Sequence, residues 1–134
     1  MRVLEFVVDG VAVPQGSKTV FNGRAVDANS KKLKPWRSDV TLAAKRAAER
    51  TGVIFERDES VIVLIQVFFI RPKTSKRTDP NVKPDADKLA RAILDGISDA
   101  GVWADDCQVI DLRIIKGYTV DTPRTLICIK SAQK

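Results

Sequence analysis

No histidine occurs anywhere in the 134 residues. Its absence removes the usual general base near neutral pH, the usual zinc ligand, and every Ser-His or Cys-His nucleophile. Cysteine is nearly absent as well. Cys107 and Cys128 stand alone, with no metal-ligand spacing, and a chain of this length needs no disulfide, so a reducing cytosol is the default compartment. No stretch approaches the roughly 18 to 20 apolar residues of a membrane span. The opening "MRVLEFVVDGVAV" carries acids within its apolar residues and then a turn, which reads as a strand pair and not as a cleaved signal. Neither a P-loop nor a G-x-G-x-x-G pattern is present, which counts against a hydrolase of small nucleotides. An enzyme of this composition works with carboxylates, lysines, arginines or a bound metal.

What is present is charge of both signs, unevenly placed. The formal net charge is +6 and the pI is near 9.5, a balance that favours a polyanionic partner. Two segments concentrate the excess, "KKLKPWR" (residues 31–37) and "RPKTSKR" (residues 71–77). Hydrophobic residues make up 44% of the chain, enough to exclude wholesale disorder and to build one core. The expectation is a single domain over residues 1–134.

Periodicity gives the element order. "RVLEFVVDG" has strand composition, and Asp9-Gly10 followed by "VAVPQ" suggests a hairpin. Residues 14–35 carry turn residues and read as loop with one short strand. Residues 36–50 place Val40, Ala43, Ala44, Ala47 and Ala48 on one helical face. "SVIVLIQVFFI" (residues 60–70) is almost wholly apolar and branched, as a buried central strand is. "RPKTSKRTDPNVKP" is a loop by its prolines and charge. Residues 85–100 form a second helix with Leu89, Ile93, Leu94 and Ile97 inward, closed by Gly101. "QVIDLRIIKGYTV" and "RTLICIK" read as two strands, expected to pair antiparallel. The order β-β-α-β-α-β-β implies an α/β (α+β) fold: one mixed sheet with two main helices packed on it.

The acids of "KPDADKLARAILDGISDAGVWADDCQV" (residues 83–109) are set at both ends of that second helix: Asp85 and Asp87 before it, Asp105 and Asp106 after it. Each pair alone has a structural explanation, Asp87 as a helix cap and Asp105-Asp106 as a turn. Together they suggest more. A helix of about 14 residues is roughly 21 Å long, and four or five extended residues returning beside it cover roughly 13 to 17 Å. That return brings the later acids toward the level of the earlier ones. Adjacent side chains of an extended segment face opposite ways, so only one of Asp105 and Asp106 points at the cluster. Three converging carboxylates require a cation, and oxygen-only donors suit Mg²⁺ or Mn²⁺. Such a metal activates water and stabilises charge on a leaving phosphate oxygen. The basic segments then serve as the grip on a nucleic-acid backbone.

At these residues the chain resembles the RusA-type Holliday junction resolvases, homodimeric endodeoxyribonucleases common in phages and prophages. The matching parts are Asp85-Ala86-Asp87, Leu89, "ILDGI" (residues 93–97) and "VWADDCQV" (residues 102–109), with "VPQGSK" (residues 13–18) similar to the opening loop of phage relatives. The resemblance implies a Mg²⁺-dependent nuclease that nicks branched DNA in symmetric pairs, in recombination and repair, inside a bacterial host cytoplasm. It implies Asp85, Asp87 and Asp106 as the metal ligands. The family usually has a lysine four positions after the second acid; here Arg91 stands there. Arg91 keeps the charge and can clamp phosphate but cannot exchange protons at neutral pH. Lys88 either replaces the missing lysine or makes a helix-surface ion pair. Lys18, Arg71, Lys73, Lys76, Arg77 and Lys83 are the expected DNA-backbone contacts. Trp103 reads as a core or interface aromatic in preference to a base-stacking one, and Asp95 as a solvated residue. A non-catalytic protein that binds branched DNA is the competing expectation, because of Arg91.

Overall fold

The computed structural model describes residues 2–16, 18–21, 24–27 and 30–132, with side chains described for 2–16 and 31–132. Four strands form one mixed sheet: β1 (Val3–Asp9), β4 (Val61–Ile70), β5 (Val109–Thr119) and β6 (Arg124–Ser131), in the order β1-β6-β4-β5. β2 (Lys18–Phe21) and β3 (Arg24–Asp27) make a separate antiparallel pair. Two helices, α1 (Ser30–Thr51) and α2 (Ala86–Asp99), complete the α+β fold with the expected helix and strand order.

β4 is central, as its apolar run requires. Its alternate residues Val61, Val63, Ile65 and Val67 are buried on the helix side, beside Leu4, Phe6, Val8, Ile127 and Ile129 of β1 and β6. β4 pairs antiparallel with β6 and parallel with β5. A parallel pair needs a crossover of a dozen or more residues, and α2 is that crossover. The two C-terminal strands therefore do not pair with each other, contrary to expectation: β4 lies between them. Their composition fits either arrangement, because both are half-apolar strands of similar length.

Three other boundaries differ. No hairpin forms at Asp9-Gly10, since residues 11–16 are not a strand; β1 pairs instead with β6, from Val3 opposite Lys130 to Asp9 opposite Arg124, and the Gly10 amide continues that ladder to Pro123 O at 3.0 Å. The region read as holding one short strand holds two. The first helix begins at Ser30, six residues before the expected start, with Pro35 inside it. Pro35 falls just past the first turn, where the lost amide costs one bond near a helix end. Leu33 and Trp36 extend the buried stripe of Val40, Ala44, Ala47 and Ala48, and this burial outweighs that cost.

The helices touch at Gly96. A Cβ there would lie 2.9 Å from Val40 Cβ and 3.2 Å from the Arg37 carbonyl, and Thr41 Oγ1 donates to Gly96 O at 2.7 Å. Gly96 thus sets how closely α2 approaches α1. Gly96→Ala is expected to destabilise the protein by about 1–3 kcal/mol through overpacking, read as a lower urea midpoint at unchanged slope.

Candidate active site

α2 begins at Asp85, whose backbone is extended (φ −70°, ψ 140°) and whose carbonyl accepts from Leu89 N at 3.1 Å. The N-cap position therefore falls to Asp85 and not to Asp87. The Asp85 side chain makes no capping bond. Its carboxylate is exposed and stands 3.8 Å from Lys88 Nζ, a helix-surface pair of modest worth. The "VPQGSK" segment lies against this turn through Gln15 N to Lys88 O at 3.0 Å.

One turn on, α2 presents Asp87, Arg91 and Asp95 at i, i+4 and i+8, a single row on a helix. All three line a groove of about 600 Å³ together with Asp106 and the apolar side chains of Leu94, Leu112 and Ile114. A larger cavity of about 760 Å³, near Glu5, Arg46, Arg50 and Lys130, contains none of the motif acids. The smaller groove holds the charge pattern that bears on chemistry.

The segment returning from α2 is not an extended strand. Gly101 takes a left-handed conformation (φ +73°), and Val102 and Trp103 are buried. Val102 O accepts from Phe55 N at 2.9 Å, and Trp103 Nε1 donates to Ser98 Oγ at 2.8 Å. Trp103 is thus a core residue, closed to base stacking. The chain then enters a 3₁₀ turn, Asp106–Gln108. Asp105 caps this turn, its Oδ1 accepting from Cys107 N at 2.9 Å. The two adjacent acids do separate in role, but a cap separates them and not the alternation of a strand.

Gln108 holds this turn in place. It is buried, with 7% exposed, and its amide is fully used. Oε1 accepts from Ala104 N at 2.8 Å and Asp105 N at 3.0 Å; Nε2 donates to Glu56 O at 2.7 Å and Glu59 O at 3.0 Å. The turn carrying Asp106 is thereby bound to the loop between α1 and β4.

The electrostatics differ sharply across the Asp105-Asp106 pair. The Cys107 amide bond holds Asp105 below the usual carboxylate range. Asp106 is pushed above it, first by burial, then by the hydrogen bond and negative charge of Asp105 and the charge of Asp95, with Arg91 opposing. Asp95, read from the sequence as solvated, is half-buried in this groove; its spacing from Asp87 and Arg91 was the available signal.

Asp85 does not line the groove. Among the described residues, no three acidic or cysteine side chains are already gathered closely enough to hold a metal ion. The donor chemistry nevertheless fits a hard divalent cation: Asp87, Asp95 and Asp106 offer only carboxylate oxygens in a groove that also admits solvent.

Most of the expected DNA contacts fall in one segment of the chain. Arg71, Lys73, Lys76, Arg77 and Lys83 are exposed on the loop between β4 and α2. Lys18 lies in β2, and its side chain is outside the described residues. Lys31, Lys32 and Lys34 are exposed on the first turns of α1, while Arg37 pairs with Asp99 at 3.0 Å. Among the described residues, no helix is long and apolar enough to cross a membrane.

Asp87, Asp95 and Asp106 in one groove, preceded in the chain by an exposed basic loop, define a carboxylate-based site. The family model described as Endodeoxyribonuclease RusA matches residues 9–130, and the chain belongs to that family. The protein is accordingly an endodeoxyribonuclease of the Holliday-junction-resolving kind, in a family that is generally dependent on divalent metals. No curated protein matches the chain significantly.

The hub role of Gln108 is directly testable. Gln108→Leu removes partners from two amides and two carbonyls, and is expected to cost roughly 2–4 kcal/mol in urea unfolding. Asp105→Ala, which removes one exposed cap bond, is expected to cost much less in the same assay.

Proposed function

We propose that the protein resolves four-way DNA junctions by paired symmetric nicks, using a divalent cation, Mg²⁺ or Mn²⁺, held by Asp85, Asp87 and Asp106. The observation that carries this reading is the groove in which Asp87, Asp106 and Arg91 meet. Asp85 stands one residue from the helix start with its carboxylate exposed, and Asp95 adds a further carboxylate to the groove. When bound, the cation supplies Lewis acidity toward a phosphodiester and a means of ionising water.

The chain's own residues do the rest. Arg91 remains charged at all working pH values and presents a planar fork of donors to phosphate oxygens. Lys88, paired with Asp85, orients that carboxylate. Arg71, Lys73, Lys76, Arg77 and Lys83, with Lys18, neutralise backbone phosphates around the groove. The apolar wall of Leu112 and Ile114 lowers the local dielectric and strengthens these charges. On this reading the protein is phage- or prophage-encoded and acts in recombination and repair in the bacterial cytoplasm.

A synthetic four-way junction with labelled arms tests the reading. The wild type is expected to nick opposing strands with Mg²⁺ or Mn²⁺ and not with EDTA. Asp87→Asn and Asp106→Asn are each expected to lose about 100-fold or more of the rate while still binding the junction. A wild type that binds junctions and leaves them intact with both cations would identify a branched-DNA binding protein instead.

A two-fold dimer suits a junction with two equivalent strands to cut, and the free edge of β5 offers a surface for one. This strand runs from Val109 to Thr119, is paired on one side only, and exposes Ile110 (66%), Leu112 (42%) and Ile115 (36%). A long apolar edge of this kind invites pairing with another strand. Antiparallel self-pairing centred on Leu112 sets Asp111 opposite Arg113 of the second copy. Asp111 and Arg113 are both exposed, and neither has an ion-pair partner among the described residues. Asp111→Arg is expected to weaken dimerisation about 10-fold or more, and Arg113→Asp added to it to restore the dimer, by sedimentation velocity. A double variant no better than the single one would exclude this edge.

A further inference from the structure

The basic loop between β4 and α2 is tied to one strand at both of its ends. At its start, the Arg71 amide donates to Thr119 O of β5 at 3.2 Å. At its end, the ammonium of Lys116, also on β5, donates to the carbonyls of Val82 and Pro84, each at 2.7 Å. These two carbonyls flank Lys83, and the residue after Pro84 is Asp85. The second tie therefore sits at the point where the phosphate-gripping loop becomes the carboxylate-bearing helix.

Packing does not account for a lysine at this position. Lys116 is opposite Val67 in the parallel register, as Ile114 is opposite Ile65 and Leu112 opposite Val63. It is thus the third member of the row that faces the helices, half-buried where its neighbours are apolar. An aliphatic residue would continue the row without the cost of desolvating a charge. No carboxylate among the described residues pairs with the ammonium. Its compensation is the pair of charge-assisted bonds to Val82 and Pro84, which are short and directional. What that side chain accomplishes is to hold the bend at Val82–Pro84 against β5. The same strand, through Leu112 and Ile114, forms the wall of the carboxylate groove.

We propose that Lys116 is a positioning residue for the nuclease reaction: by clamping the carbonyls on either side of Lys83, it fixes Asp85 and Asp87 relative to the basic loop. This proposal rests on the carboxylate reading of the site. Lys116 touches neither the motif acids nor, on this view, the DNA. It acts through the backbone that leads into Asp85, as outer-shell partners of metal ligands do.

Lys116→Met keeps the aliphatic stem and removes the ammonium; Lys116→Arg restores a cationic donor. The first readout is amide hydrogen exchange of the protein without metal or DNA. Lys116→Met is expected to raise exchange about 10-fold in peptides covering residues 79–90, where the Asn81 and Leu89 amides are bonded to Asp79 O and Asp85 O, and to leave β1 and β6 unchanged, with Lys116→Arg close to the wild type. The second is junction cleavage titrated with Mn²⁺. Lys116→Met is expected to need about 10-fold more Mn²⁺ for half-maximal rate, while its junction affinity without cation stays within about 2-fold of the wild type. Unchanged local exchange, or raised exchange with an unchanged Mn²⁺ requirement, would overturn the proposal. Exchange raised throughout the protein would overturn it too, in favour of a purely structural lysine. A wild type that cleaves no junction at any Mn²⁺ concentration is a different failure, that of the carboxylate reading itself.

Discussion

The parallel pairing of β4 with β5 is the constraint on which the site depends. Antiparallel neighbours can be joined by a tight turn, but parallel ones require the chain to travel the length of the sheet and return. Here the return is α2. One crossover thereby delivers three things to the same flank of the sheet: the basic loop leaving β4, the helix row Asp87–Arg91–Asp95, and the turn that carries Asp106 into β5. The close contact of Gly96 with Val40 holds α2 at the depth where this row faces the start of β5. Fold and site are consequences of the same connection.

Around that groove neutral polar groups fix the geometry of the backbone. Gln108 makes four backbone bonds, and Thr41 and Ser98 each accept or donate within the helical layer. The acids are treated differently from one another. Asp105 is consumed by capping and is held low by the Cys107 amide; Asp106 receives no such bond, is partly desolvated beside other anions and is held high. Two chemically identical neighbours have opposite electrostatic fates because a 3₁₀ turn begins between them. A sequence motif of two adjacent aspartates is therefore not redundant: one makes the turn, and the other is presented by it.

Much of this was legible in the sequence where burial and periodicity agree. The apolar run of β4 and the stripe of Leu89, Ile93 and Ile97 in α2 identify their elements without help, because each has only one way to bury itself. The strand partners were not legible. β5 and β6 follow one another, and sequential strands often pair, but only the placement of the β4 ladder decides that β4 lies between them. The Asp9-Gly10 turn signal was overridden because β1 has a longer partner in β6. At Pro35 a local stop signal lost to the burial of Leu33 and Trp36. At the site, the motif acids are visible as a pattern, whereas Asp95 lies on the face away from Leu89 and Ile93, which periodicity alone assigns to solvent. That face is the groove, since the wall opposite it comes from β5, which lies beyond the helix in sequence.

The groove that results sets three carboxylates around one arginine. The chain has no histidine, and the cation between Asp87 and Asp95 is an arginine, which does not titrate in a protein. A lysine in that place could in principle donate or accept a proton when desolvated; Arg91 can only hold a charge and a direction. It offsets part of the repulsion that Asp106 meets from Asp105 and Asp95. The side chains of the groove thus offer carboxylate oxygens and one fixed positive charge. A site organised in this way depends on position above all, and so on the backbone ties, at Gln108 after the helix and at Lys116 before it, that fix where its carboxylates stand.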